Sequence, residues 1–481
     1  MKTKTQPTSI TVTVRDLRQI LTGFGKVMAK SAPDAAHGCV RCITDGSGNA
    51  DLAATGGDTW ASIRLLGVAT QGKAEFLVPL DRLKEFTKPA KPSETVTLTP
   101  AKDGVEIRTG TRSKLVKSPP ATAFPQPPAF TGKAPVLPPG VIRAINEAFR
   151  CASTDTTRQV INGVSLDTSR KGHHIVGTDG RHLYTANSFK LPLPKPAILA
   201  PNRILDWKPI KEAEGWKFRT VRDKQDRGGS YEITAGAWRI IGKLVDGDYP
   251  SWRQVLPRKE DLTSGVRFDP EKVAEIAPTI AKLPVASLHS SNHPIVVRGD
   301  GKVIELLWKE APDEPYQDLP IPSAKTNGKP FVISIDRKYL AKAFAFGFEE
   351  MRVADEMSPA RFADAKGRQM VVMPLRMTGG LPPEKPQATA PPARKREPAR
   401  KPRPTMPKKN QTRRPPTPQA ESPIDEALLD LAKVRDTLRE AATGLQSAAA
   451  KLKRAKQEQR TADKEIRSVR STLESLRKVR L

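Results

Sequence analysis

Two cysteines stand in the stretch CVRC (Cys39, Cys42), and two histidines in GHH (His173, His174). Either pair could begin a metal site. A structural zinc site takes four thiolate or imidazole ligands, however, and no second CxxC or spaced histidine pair follows in the sequence. The cysteines therefore read as filling for a half-buried strand, and the histidines as the start of another. Asp45, Asp179 and Asp246 fall in turns, scattered rather than paired, so two-metal hydrolysis has no support. The stretches TGGDT (55–59) and GDG (299–301) lack the lysine and following helix of a phosphate-cradling loop. No Ser-His-Asp order stands out. The expectation is a non-catalytic protein with no cofactor and no metal.

What the chain does carry is positive charge. Its 481 residues hold 81 Lys and Arg against 52 Asp and Glu, a formal net charge of +29. Such an excess points to a polyanionic partner, most simply nucleic acid, with an anionic membrane surface as the alternative. No run of about 18 apolar residues could span a bilayer, and MKTKTQPTSI at the start lacks the apolar core of a signal peptide. Three cysteines, an odd and low count, suit a reducing, cytoplasmic setting.

The elements that must present this charge recur along the chain. An apolar strand, a turn residue and a short amphipathic helix are predicted at FLVPLDRLKEF (76–86), AILAPNRILDW (197–207) and FVISIDRKYLAKAF (331–344). A second helix start precedes each, at TVRDLRQIL (13–21), LPPGVIRAINEAF (137–149) and FDPEKVAEIA (268–277). Between them lie alternating strands bounded by turns, as in ASIRLLGV, ETVTLTP, GVEIRTG and YEITAGAWRIIGKL. The period is near 125 residues, and the plan is α+β: three repeated domains, each with two helices plus antiparallel sheets. Polar positions of these helices are often basic: Arg15, Arg18, Lys26, Arg82, Lys84, Arg143, Arg150, Arg203, Lys272, Arg337, Lys338 and Lys342. Gathered on one side, they would attract phosphate without reading bases.

Beyond VVMPLRM (371–377) the composition changes. Residues 381–420 contain 12 prolines, 11 Lys and Arg, and only Glu384 and Glu397 as acids. This reads as a stiff, basic, disordered linker (378–421), unable to bury enough apolar area to order itself. Ser422, Pro423 and Asp425 then give a helix start of capping-box type. Ile424, Leu431, Leu438, Leu445, Leu452, Ile466 and Leu473 recur every seven residues, broken once by Gln459. Ala427, Val434, Ala441, Ala448, Ala455, Ala462, Val469 and Leu476 make a second seam. The prediction is a long C-terminal helix (422–481) in a coiled coil with an unspecified partner, or lying alone along DNA or the body.

RQVINGVSLDTSRKGHHIVGTDGRHLYTA (158–186), KLVDGDYPSWRQVLP (243–257), AFPQ (123–126) and VVMPLRM (371–377) together resemble the bacterial DNA polymerase III beta subunit, the DNA sliding clamp family. The resemblance covers residues 8–377 and implies clamp domains at 8–126, 127–258 and 259–377. It implies a homodimer ring with helices inside and sheet outside, threaded by double-stranded DNA. It also implies a hydrophobic pocket that takes short peptide motifs of DNA polymerase and the clamp loader. By motif match the pocket would use Ile161, Thr178, Gly180, Arg181, His182, Leu183, Pro250, Val255, Val371, Met373, Pro374, Leu375, Arg376 and Met377. Met and Leu there would adapt to varied partner side chains. The chain departs from the family in reading RHL for HRL (Arg181, His182), in having Gln254 for an arginine, and in continuing past Met377. The function implied is a processivity factor in replication. The alternative is a clamp-derived DNA-binding interaction protein acting through its basic tail and coiled coil.

Overall fold

The computed structural model describes residues 8–376, apart from 29–33, 171, 226, 285–291, 301–302, 312–313 and 322–323. These residues fall within one compact unit, Met1–Gln387. The linker, the coiled coil and Met377 lie outside the described residues.

The first block of elements starts with β1 (Ser9–Thr13) and α1 (Val14–Val27). The Thr13 hydroxyl accepts from the Asp16 N–H, supplying the cap an α-helix start requires. Val14, Leu17, Ile20, Leu21, Phe24 and Val27 are buried. Their spacing of three or four residues makes one apolar stripe. There follow β2 (Cys39–Thr44), β3 (Asn49–Thr55), β4 (Thr59–Leu66), β5 (Ala69–Gln71), β6 (Ala74–Pro79), α2 (Leu80–Thr87), β7 (Thr95–Ala101), β8 (Gly104–Thr109) and β9 (Arg112–Val116). Cys39 and Cys42 lie on β2, three residues apart, and so face opposite ways. Cys39 packs with Ala36, Leu77 and Phe124, while Cys42 joins the main core. Burial pushes the Cys39 thiol up to about 11 and the Cys42 thiol higher. Both are unreactive core filling.

The second block holds α3 (Val141–Cys151), α4 (Gln159–Asn162), β10 (Val164–Asp167), β11 (His174–Thr178), β12 (His182–Ala186), β13 (Ala197–Leu199), α5 (Lys208–Lys211), β14 (Lys217–Val221), β15 (Gly229–Ala235) and β16 (Trp238–Leu244). Its second helix is shorter than predicted. Asn202 caps a 3-10 turn, Arg203–Asp206, and α5 is a single turn. Trp207 between them is extended (ψ 130°), and Pro209 has no N–H to continue a ladder. α3 lies directly on β11: a Cβ at Gly177 would strike the Ala148 carbonyl. His173 accepts from the Leu191 N–H at 2.9 Å, and His174 opens β11.

The third block comprises β17 (Ser264–Arg267), α6 (Pro270–Lys282), β18 (Pro294–Gly299), β19 (Ile304–Trp308), β20 (Gln317–Pro320), β21 (Lys325–Gly328), β22 (Phe331–Asp336), α7 (Arg337–Ala345), β23 (Glu350–Val353), β24 (Ala360–Ala363) and β25 (Arg368–Val372). Asp269 caps α6 and Asp336 caps α7. The final strand stops at Val372, before the end of VVMPLRM, because Pro374 has no N–H to extend the ladder. Met373 and Leu375 still donate their N–H groups to the carbonyls of Arg181 and Ser334.

Sheets run across the blocks. One has sixteen strands, with the path β21-β17-β23-β24-β25-β12-β11-β10-β13-β16-β4-β3-β2-β6 and β14-β15 alongside β16. Two junctions inside it join blocks. β16 pairs antiparallel with β4, from Trp238↔Ile63 to Gly242↔Thr59. β25 pairs antiparallel with β12, from His182↔Val372 to Ala186↔Arg368. Two smaller sheets, β5-β1-β7-β8-β9 and β20-β19-β18-β22, end on β9 and β20.

The junctions differ chemically. Between the first two blocks Phe24, Trp207 and Trp238 meet edge to face, at centroid separations of 5.7 and 5.3 Å. Gly23 makes room, since a Cβ there would strike Trp207. Between the second and third, buried Glu147 receives Arg368 on both oxygens at 2.7 and 2.9 Å. It also accepts from Tyr184 at 2.7 Å and Arg143 at 2.8 Å. Among the described residues no helix is long and apolar enough to cross a membrane.

Candidate functional site

The second junction forms one wall of a cavity of about 290 Å³. Its floor is a small core separate from the main one, made of Val176, Leu183, Trp252 and Val371. The sheet register fixes two of these side by side, because Leu183 of β12 pairs with Val371 of β25. The turn before β12 is held by its own side chains. The Thr178 hydroxyl donates to the His182 carbonyl at 2.6 Å and accepts from the Gly180 N–H at 3.0 Å. Gly180 has φ +88°, a backbone region that disfavours other residues. Asp179 Oδ1 accepts from the N–H groups of Arg181 and His182 at 2.9 and 3.0 Å.

Ten of the fourteen residues matched from the sequence line this cavity: Ile161, Thr178, Gly180, Arg181, His182, Leu183, Pro250, Val255, Val371 and Met373. Val255 and Met373 are 48% and 44% exposed, so two large apolar side chains stand open to solvent here. Pro374, Leu375 and Arg376 follow Met373 along the chain but are not among the lining residues. Arg158, Ser251, Trp252 and Gln254 also line the cavity and were missed. Trp252 lay inside the quoted motif, where an aromatic ring reads as plain core. Its place between Pro250 and Val255 was the available signal.

Behind the cavity, His182 ties the second block to α7. Its Nδ1 lies 2.8 Å from Asp179 Oδ1, and its ring stacks on Tyr339 at 4.1 Å. Its Nε2 lies 3.0 Å from Lys342 Nζ. An ammonium has no lone pair, so Nε2 accepts and Nδ1 carries the proton: His182 is neutral. Burial, with Lys342 nearby, lowers its pKa. Burial likewise lowers that of Lys342, which also donates to the Arg150 carbonyl at 2.6 Å. Tyr339 donates to Asp179 Oδ2 at 2.7 Å. Burial alone would raise the Asp179 carboxyl, but hydrogen bonds from His182, the Arg181 N–H and Tyr339 hold it well below the usual range.

The basic residues divide. Arg18, Lys26, Lys84 and Arg203 line a groove of about 720 Å³ bounded by α1, α2 and the 3-10 turn, joined there by Lys88. Arg18 simultaneously closes the end of α2, donating to the carbonyls of Thr87, Lys88 and Ala90 at 2.6–3.0 Å. Arg15, Arg82, Arg143, Arg150, Lys272 and Lys338 are exposed. Arg82 pairs with Glu85 at 2.8 Å, and Arg150 lies 5.1 Å over the Phe346 ring. Two residues depart from the surface role expected of them. Arg337 is 8% exposed and donates to the carbonyls of Leu283 and Pro284, satisfying the open end of α6. Lys342 is occupied at the junction, as above. Among the described residues no group of three or more His, Cys, Asp or Glu could hold a metal ion.

The chain aligns with solved clamps over about three quarters of its length. It superposes on the DNA polymerase III subunit beta of Pseudomonas aeruginosa with a TM-score of 0.65 at 19% identity, covering 77% of this chain and 100% of that one. The fold is that of a beta sliding clamp. The DNA polymerase sliding clamp of Bacillus subtilis agrees, with a TM-score of 0.66, 15% identity and coverage of 78% and 100%. Curated relatives carry the same name. The beta sliding clamp of Caulobacter vibrioides is 26% identical over 249 residues, 49% of this chain and 64% of the relative. That of Synechococcus elongatus is 24% identical over 311 residues, 61% and 80%. The first match thus spans just under two thirds of the relative's length. No protein-family model matches the chain.

Proposed function

We propose that this chain is a DNA sliding clamp with three clamp domains, 8–126, 127–258 and 259–377, that works in the cytoplasm as a homodimer ring. The observation that carries the proposal is a repeated sheet junction. After the first helix of each block come three strands, the third being β4, β12 or β20; each block ends on β9, β16 or β25. The last strand of the second block pairs with β4, and that of the third with β12. By the same rule β20 and β9, both sheet edges here, would pair between two copies. Arg112 and Lys114 on β9 and Asp318 on β20 favour that meeting. Two copies joined twice leave neither edge open, which is how closed sheets avoid stray pairing.

Duplex DNA inside such a ring is held by enclosure. Diffuse attraction between phosphates and the Lys and Arg of the helices lets it slide, since no base is read. The cavity beside Trp252, apolar and open at Val255 and Met373, would take short peptides of a DNA polymerase and its loader. No covalent step is required of any residue. The test is retention. Once loaded, the protein is expected to stay on closed circular DNA and leave within seconds of linearisation; equal dissociation from both forms would end the proposal.

A further inference from the structure

A second cavity, of about 380 Å³, lies against the first and shares Pro250, Ser251, Trp252 and Gln254 with it. The Trp252 turn is therefore a partition with one face in each. The first cavity is apolar; the second is lined by Ser165, Asp167, Ser169, Arg170, Asp248 and Arg253. We infer that the second cavity receives the charged flank of a peptide whose apolar residues occupy the first, and that Arg170 recognises a carboxylate there. This rests on reading the first cavity as a peptide site.

The charges decide the sign. Both oxygens of Asp167 are engaged: Oδ1 by the N–H and hydroxyl of Ser169 at 3.0 and 2.6 Å, Oδ2 by Trp252 Nε1 at 3.1 Å and Arg253 Nη1 at 2.6 Å. Burial opposes its ionisation, yet these bonds hold its carboxyl down to about 2. Arg253 and Asp167 thus neutralise each other. The Arg253 guanidinium lies 4.3 Å over the Trp252 ring and keeps Nη2 without a partner. Asp248 also lines a neighbouring groove together with Asp246, Lys195 and Arg222, so it is shared between two openings. Arg170 is exposed and makes no ion pair among the described residues. It is the cation left to meet a ligand.

The experiment is fluorescence anisotropy on the full chain with labelled ten-residue peptides. Each has a central leucine and phenylalanine and, at either end, Asp, Asn or Lys. For one of the two placements Asp is expected to bind about three- to fivefold tighter than Asn, the range of an exposed charge contact, and Lys weaker than Asn. Arg170→Gln should bring the Asp to Asn ratio to one, and about 0.5 M salt should shrink it in the parent protein. Met373→Ala should weaken all peptides together. Equal binding of Asp, Asn and Lys peptides, or a preference for Lys, overturns the second cavity's role and leaves the first intact. Failure of every peptide to bind overturns both.

Discussion

His182 occupies a place where its charge state matters to two blocks at once. Its neutral ring accepts from Lys342 and donates to Asp179, with Tyr339 stacked on it and Lys338 nearby. The fold lowers its pKa below the ordinary 6.5, so the unfolded chain binds a proton that the native one resists. Its contribution to stability is therefore complete above about pH 6.5 and is lost as pH falls through the folded value. Asp179, also lowered, gives way only in much stronger acid, so the two windows separate. Protection of the α7 amides, taken relative to the intrinsic exchange rate at each pH, should fall between pH 7.5 and 5.5 in the parent protein and stay flatter in His182→Asn. Identical profiles would show that His182 does not control this contact.

At the scale of elements, the junction between α3 and β25 concentrates buried charge. Arg368 holds Glu147 with one nitrogen and Asp364 with another, at 2.7 Å each, and both carboxylates are under a tenth exposed. Removing the cation strands them, so Arg368→Met should cost about 3–5 kcal/mol in a denaturant titration. Arg368→Lys should cost less, since it keeps a charge but loses the fork; a loss under 1 kcal/mol for Met would contradict the assignment. None of this was legible beforehand, because Glu147 and Arg368 are 221 residues apart. Local features were legible. The strand-turn-helix units at 76–86 and 331–344 appeared where an apolar strand runs into a turn residue and an amphipathic stretch, and cavity residues contiguous in TDGRHL were found together. Arg337 was misread because its helical position suggests a surface, whereas the carbonyls at the end of α6 claim it. The second helix of the middle block was overestimated because Pro209 acts through a missing donor.

For the whole molecule, the proposed closure predicts a particular charge dependence. Lys114→Glu should weaken self-association several-fold in sedimentation, Asp318→Lys likewise, and the two substitutions together should recover part of it. Unchanged association in both single variants would place the interface elsewhere. Continuity of the sheet has a mechanical consequence too. Between the first and second blocks, as between the second and third, five residue pairs lie in register. A pull that separates neighbouring blocks acts along those hydrogen bonds, not along the strands. The load is then shared by the whole ladder at once, and neither seam can tear from one end under tension applied squarely across it.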